Sequence, residues 1–286
     1  MLNFRQLLAA LVLLAGLATI PAQAETFHTC GTIINTVPTV IATQGVYCLS
    51  HDVATAITTG NAIDIQANNV TLDCNGYKIG GLAAGSSSTA SGIHADAARQ
   101  NITVRNCGIR GFYQGINLQG GAGHLIEDNR LDNNLWIGIE VQGDNNRVRR
   151  NAVYDTGGTP AVTYSIGIDA AADVIDNTVA GGFASTAAGP DTYPRGITTY
   201  GHGSVVRGNE VSGLAVAGAG FARGILVYGF RTRVDGNHIA LPVAKTGTGI
   251  TGVGVSGTDT FCVGNTIGNF TTPMAYCQDV GGNASN

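Results

Sequence analysis

Asn129-Arg-Leu131, Asn151-Ala-Val153, Asn177-Thr-Val179, Asn209-Glu-Val211, Asn237-His-Ile239 and Asn265-Thr-Ile267 repeat one pattern, an asparagine two residues before an aliphatic side chain. Subtracting their numbers gives gaps of 22, 26, 32, 28 and 28 residues. Periods of that size belong to stacked coils, in which each unit buries its apolar side against its neighbours. A second series keeps step with the first: Gly92-Ile93, Gly115-Ile116, Gly138-Ile139, Gly167-Ile168, Gly196-Ile197, Gly224-Ile225 and Gly249-Ile250. Two anchors that advance together set the register of the repeat.

Between the anchors each unit holds short alternating runs, such as Ile116-Asn117-Leu118, Ile139-Glu140-Val141 and Ile225-Leu226-Val227, which read as strands with one face buried. No stretch beyond the N-terminal apolar segment shows a helical period capped at both ends. The 42 Gly against 7 Pro suit a fold with many tight corners. Coils stacked about 4.8 Å apart pair each strand with its equivalents above and below. Asparagines in one column then form an amide ladder inside the stack.

The run Asn69-Val-Thr-Leu-Asp-Cys-Asn-Gly76, its echo Asn101-Ile-Thr-Val-Arg-Asn-Cys107 and the two repeated anchors resemble the right-handed parallel β-helix proteins of the pectate-lyase-like superfamily. The resemblance covers roughly residues 30 to 280 and implies an all-β fold, a single-stranded right-handed parallel β-helix with an N-terminal cap. Handedness follows from the resemblance and from the right-handed crossover rule. Such folds host lyases, hydrolases, epimerases, tailspikes and non-catalytic binders, so fold alone selects no activity.

Residues 1–24 read as a signal peptide, with Arg5 in the charged segment, Leu7 to Ile20 as the apolar core and Ala22-Gln23-Ala24 as the cleavage site. The expected organisation is residues 25–60 as cap and first strands, then residues 61–286 as one β-helix without a linker. No later segment approaches 18 continuous apolar residues, so no membrane span is expected. The destination is the periplasm or the medium. Six cysteines in an exported chain point to disulfides. Cys30 and Cys48 bracket the first strand, Cys262 and Cys277 bracket the last coil, and Cys74 and Cys107 fall one residue out of register on adjacent coils. A net charge of −4 with 12% charged residues leaves no basic stripe for nucleic acid. Gly-, Ser- and Ala-rich inserts at 80–90, 157–163, 181–194 and 215–220 are expected to project as loops from one edge.

Taking the Ile after each Gly as inward, the next residue faces outward. That column reads Asp64, His94, Asn117, Glu140, Asp169, Thr198, Leu226, and two positions on a parallel column reads Gln66, Asp96, Gln119, Gln142, Ala171, Tyr200, Tyr228. Carboxylates, amides, an imidazole and aromatic rings side by side suit a polysaccharide, whose hydroxyls need hydrogen-bond partners and whose ring faces stack on aromatics. Arg195 and Arg223 sit before the Gly on successive coils and would hold the carboxylates of an acidic glycan. Tyr113 and Trp136 lie one position earlier.

Glu140 and Asp169 on neighbouring coils, with His94 and Asp64 beyond them, are the candidate catalytic groups, since glycoside hydrolysis takes two carboxyl groups and elimination takes a base. Trp136, Arg195, Arg223, Tyr200, Tyr228, Asp96 and Asn117 are the candidate substrate contacts. No resident metal or other cofactor is expected, although these carboxylates are of the type that ligates calcium. The motifs of the fold's enzyme families do not transfer. No proline follows an aspartate, as an Asp-Pro-His epimerase motif would need, and Gly201-His202-Gly203 alone matches a polygalacturonase motif. Trp136-Ile-Gly-Ile139 departs from the Trp-Ile-Asp-His of pectate lyases. The reading is therefore an exported β-helix that recognises, and in its enzymatic form cleaves, a glycan; the rival is a non-catalytic surface or envelope scaffold.

Overall fold

The computed structural model describes residues 30–242 and 250–286; the expected signal peptide lies outside them. Short parallel strands stack into two sheets, one of 19 strands and one of 10. The larger sheet folds around the stack as two faces. The first runs through Asn61–Ile65, Ser91–Ala95, Gln114–Leu118, the starts of Ile137–Arg149 and Tyr164–Ile175, then Tyr193–Thr199, Arg223–Val227 and Thr251–Val255. The second runs through Val70–Asp73, Ile102–Arg105, Leu125–Glu127, the ends of the same two long strands, then Val205–Arg207 and Arg233–Asp235. The 10-stranded sheet closes the third side. Parallel strands cannot turn back on themselves, so every coil must travel round the whole section before it pairs again. This is the parallel β-helix read from the two anchors.

The interior is a set of columns. Ile63, Ile93, Ile116, Ile139, Ile168, Ile197, Ile225 and Val253 are wholly buried and in register. Ala62 precedes Ile63, and from Ile93 onward the residue before each is a glycine that packing requires. A Cβ at Gly167 would meet Val179 Cγ1 at 2.3 Å and the Gly196 carbonyl oxygen at 2.8 Å. In the eighth coil the register selects Gly252-Val253, paired to Gly224-Ile225, in place of the expected Ile250, whose neighbour Gly249 lies outside the described residues. The local dipeptide matched, but strand pairing fixes the column.

The asparagine column is internal. Asn129 Nδ2 donates to Asn151 Oδ1 at 3.0 Å, and the relay continues through Asn177, Asn209, Asn237 and Asn265 to Asn283. Each Oδ1 also accepts the backbone N–H of the preceding coil's asparagine, as Asn209 does from Asn177 at 3.0 Å. The residue before each asparagine turns the corner with positive φ: 57° at Asp128, 53° at Arg150, 55° at Asp176 and 65° at Gly208. Such a corner exposes backbone groups that a neighbouring strand cannot reach, and the amide satisfies them.

Disulfides join Cys30 to Cys48, Cys74 to Cys107 and Cys262 to Cys277, which place the folded chain in an oxidising compartment. Among the described residues no helix is long and apolar enough to cross a membrane.

Candidate functional site

The first face brings the sequence-derived residues together. Asp64, His94, Asn117, Glu140 and Asp169 are register partners on consecutive coils, followed by Thr198 and Leu226. The column does not stand free in solvent, as alternation alone suggested. Asn117 is 3% exposed and Asp169 7%, while Thr198 and Leu226 are buried. Large side chains flank the column, aromatic rings and arginines on one side and Tyr200 and Tyr228 on the other.

At its N-terminal end Asp64 accepts hydrogen bonds from Asn61 Nδ2 at 3.0 Å and Gln66 Nε2 at 2.7 Å. His94 Nδ1 lies 2.7 Å from Asp64 Oδ1 and donates to it. Burial pushes the Asp64 carboxyl up, but the bonds from His94 and Gln66 outweigh it and hold the group below the usual carboxylate range. An ionised Asp64 accepts from Nδ1 and so fixes the orientation of the His94 ring. Asp96 stands at the exposed rim and is tied to Arg99 at 3.1 Å.

In the middle, Asn117 Nδ2 donates to Gln114 Oε1 at 3.0 Å, and Gln114 Nε2 donates to the Glu140 carboxylate. Burial raises the Glu140 pKa against the pull of that bond. Asp169, one coil on, is pushed up to about 7 by burial and then by the Glu140 charge, with Arg195 opposing. Parallel pairing sets their Cα atoms about 4.8 Å apart. Two carboxyls so placed cannot both ionise freely, so the pair retains a proton toward neutral pH.

Arg195 and Arg223 are register partners. The guanidinium of Arg195 sits 5.6 Å from the Tyr164 ring centroid and that of Arg223 sits 4.7 Å from the Phe221 ring. Among the described residues neither joins an ion pair, whereas Arg105, Arg149 and Arg150 are each bound to carboxylates. Tyr200 and Tyr228 stack at 5.1 Å with an interplanar angle of 5° on the opposite flank. Burial, then the Asp169 charge, pushes the Tyr200 hydroxyl up to about 12.

An aromatic track went largely unread in the sequence. Tyr113 lies 4.8 Å from Trp136, Trp136 lies 5.7 Å from Tyr164, Tyr164 pairs in register with Tyr193, and Tyr193 lies 4.7 Å from Phe221. All five are half-buried and run beside the acid pair. Their signal is an aromatic residue two or three positions before Gly115, Gly138, Gly167, Gly196 and Gly224 of the Gly-Ile series. The variable offset hid it. Along the same face Asn117 Oδ1, Trp136 Nε1, Asp169 Oδ1, Arg195 Nε and Thr198 Oγ1 are buried without a hydrogen-bond partner among the described residues. Unmet polar atoms are costly in a folded interior and gather where a polar ligand would complete them. A separate cavity of about 670 Å³ opens on the second face between His124, Arg147, Asp173 and His202, away from the acid pair. There His202 stacks on Phe230 and accepts its backbone N–H at 3.1 Å. Among the described residues no three His, Cys, Asp or Glu side chains are grouped as a metal site.

A family model described as the right handed beta helix region matches residues 44–213. The chain belongs to that family. Solved structures to which the chain is similar include the bacteriophage CBA120 tailspike protein 2 enzymatically active domain, with a TM-score of 0.50 and 12% identity, over 85% of this chain and 41% of that one. The Dettilon tailspike protein gives 0.49 and 16%, over 88% and 56% respectively. The Azotobacter vinelandii mannuronan C-5 epimerase A-module gives 0.43 and 13%, over 90% and 91%. The chain thus spans 56% and 41% of the two tailspike chains, and its likeness to the CBA120 domain is one of fold. A comparison with curated protein sequences finds no match.

Proposed function

We propose that this exported protein, released to the periplasm or the medium, binds a polysaccharide along the axis of its first face and hydrolyses it between Glu140 and Asp169. The observation that carries this reading is the aromatic track, five half-buried rings in series beside a proton-sharing acid pair. Sugars stack on such rings through their C–H faces, and the track spans about 19 Å, four strand spacings. Asn117, Gln114 and Asp96 line the path as hydrogen-bonding groups, with Tyr200 and Tyr228 as its far wall. Arg195 and Arg223 favour an acidic chain.

In this reading Asp169 holds the proton near neutrality and delivers it to the departing glycosidic oxygen. Glu140, ionised and steadied by Gln114, serves the opposite role as base or nucleophile. The Asp64–His94 pair lies three and two coils from Glu140 and positions the sugar chain beyond the cleaved bond.

The test is a screen of the purified protein against acidic and neutral polysaccharides, reading bound fraction, new reducing ends and unsaturated uronates. Hydrolysis predicts reducing ends without unsaturation, lost in Glu140→Gln and Asp169→Asn with binding retained. Binding without turnover would mark a lectin-like module. If neither is detected, the rigid-scaffold reading stands.

A further inference from the structure

The charge on the first face is segregated along the axis. Toward the N-terminus the outward columns carry Asp64, Asp96, Glu140 and Asp169. Beyond Asp169 the same column carries Thr198, Leu226 and Gly254, and the cationic Arg195 and Arg223 flank it. Asp64 and Asp96 are engaged by His94 and Arg99. Glu140 and Asp169 have no ion-pair partner among the described residues, and neither do the two arginines.

Resting on the proposed glycan reading, we infer that the preferred polysaccharide is a mixed one, with uncharged sugars over Tyr113 and Trp136 and uronates over Arg195 and Arg223. A sugar with its linkage is about as long as one strand spacing, so a chain along the axis offers about one residue per coil. A polymer with a carboxylate on every sugar would press negative charge against Glu140 and Asp169. There burial already disfavours charge, and like charges repel strongly at low dielectric. A polymer with none would leave Arg195 Nε, already buried without a partner, unsatisfied. Only a chain with carboxylates confined to part of its length meets both demands. The guanidiniums lie over Tyr164 and Phe221, so they are held at fixed places in the track.

Galacturonan oligosaccharides of one length, unesterified, half methyl-esterified and fully methyl-esterified, vary charge at constant linkage. Their binding to the disulfide-bonded protein is measured by affinity electrophoresis at low salt. The half-esterified probe should bind about tenfold more tightly than either extreme, the size of one charge-assisted hydrogen bond. Arg195→Met with Arg223→Met should bring it down to the fully esterified level. Glu140→Gln with Asp169→Asn should raise the unesterified probe to the half-esterified level. Affinity that rises or falls monotonically with charge, or stays flat, overturns the inference and leaves the glycan reading intact. No binding of any galacturonan also overturns it, whereas no binding across the wider polysaccharide screen overturns the glycan reading itself.

Discussion

Asp169 stands directly above Glu140 in the parallel register, with its Oδ1 buried and without a hydrogen-bond partner among the described residues, so the second acid of the pair is stacked on the first. That relationship has a thermodynamic signature. The folded-state pKa of Asp169 is raised from 3.8 to about 7, so between these values the folded protein holds a proton that the unfolded chain releases. The stabilisation is complete below pH 3.8 and is lost as pH rises through 7. Asp169→Asn should flatten the decline in Tm from pH 5 to 8 and make the variant more stable at pH 8, by up to a few kcal/mol. Parallel pH profiles for the two proteins would refute the assignment.

Asn177 serves both neighbours. Its Oδ1 accepts the Asn151 N–H at 2.9 Å and the Asn151 side-chain amide at 3.0 Å, while its Nδ2 donates to Asn209 and to the Val148 carbonyl. Asn177→Ala should cost about 1 to 3 kcal/mol in a denaturant titration, the penalty for stranded buried polar groups. Glycan affinity should be unchanged. A Cm equal to that of the wild type would exclude a structural ladder.

The aromatic track predicts graded losses. Trp136→Ala and Tyr193→Ala should each weaken glycan binding by about 1 kcal/mol while leaving the circular dichroism spectrum intact. Tyr154, which lies on the third face beneath Arg130, is the control. A loss at Tyr154→Ala equal to that at Tyr193→Ala would show that the effect is unrelated to the track.

The Cys262–Cys277 bridge closes a loop of 15 residues at the last coil. Replacing both cysteines by serine should destabilise the protein by about 3 kcal/mol. It should also promote association, because strand edges loosened at an end of the stack invite pairing with other chains. Light scattering during thermal melts of the two forms measures the second effect.

The asparagine ladder was legible because it depends on an offset that the corners keep constant, whereas Cys30–Cys48 and Cys262–Cys277 were legible as brackets of the end strands and the pairing of Cys74 with Cys107 stayed open. The two-residue turn at Asp128-Asn129 recurs unchanged at Arg150-Asn151 and Asp176-Asn177. Tyr164, Tyr193 and Phe221 were missed because they enter from the corner where the long inserts join, and there the count to the next Gly-Ile shifts from two to three. Asn117 and Asp169 were placed on the right face but thought solvated. Alternation tells which side of a strand a residue occupies, whereas its cover depends on the size of side chains from neighbouring coils. Gly249-Ile250 shows the converse error, since a dipeptide matched where pairing, through Gly252-Val253, did not.

The Gly-Ile column also makes the proposed binding face a ruler. Strands of consecutive coils pair mainly with the coil before and the coil after, so the natural unit of insertion or loss is a whole turn. Adding one would lengthen the aromatic track by one ring and the path by one sugar without disturbing the turns on either side. Chain-length preference could then change in integer steps, by duplication within the gene, while the Glu140–Asp169 pairing stayed as it is.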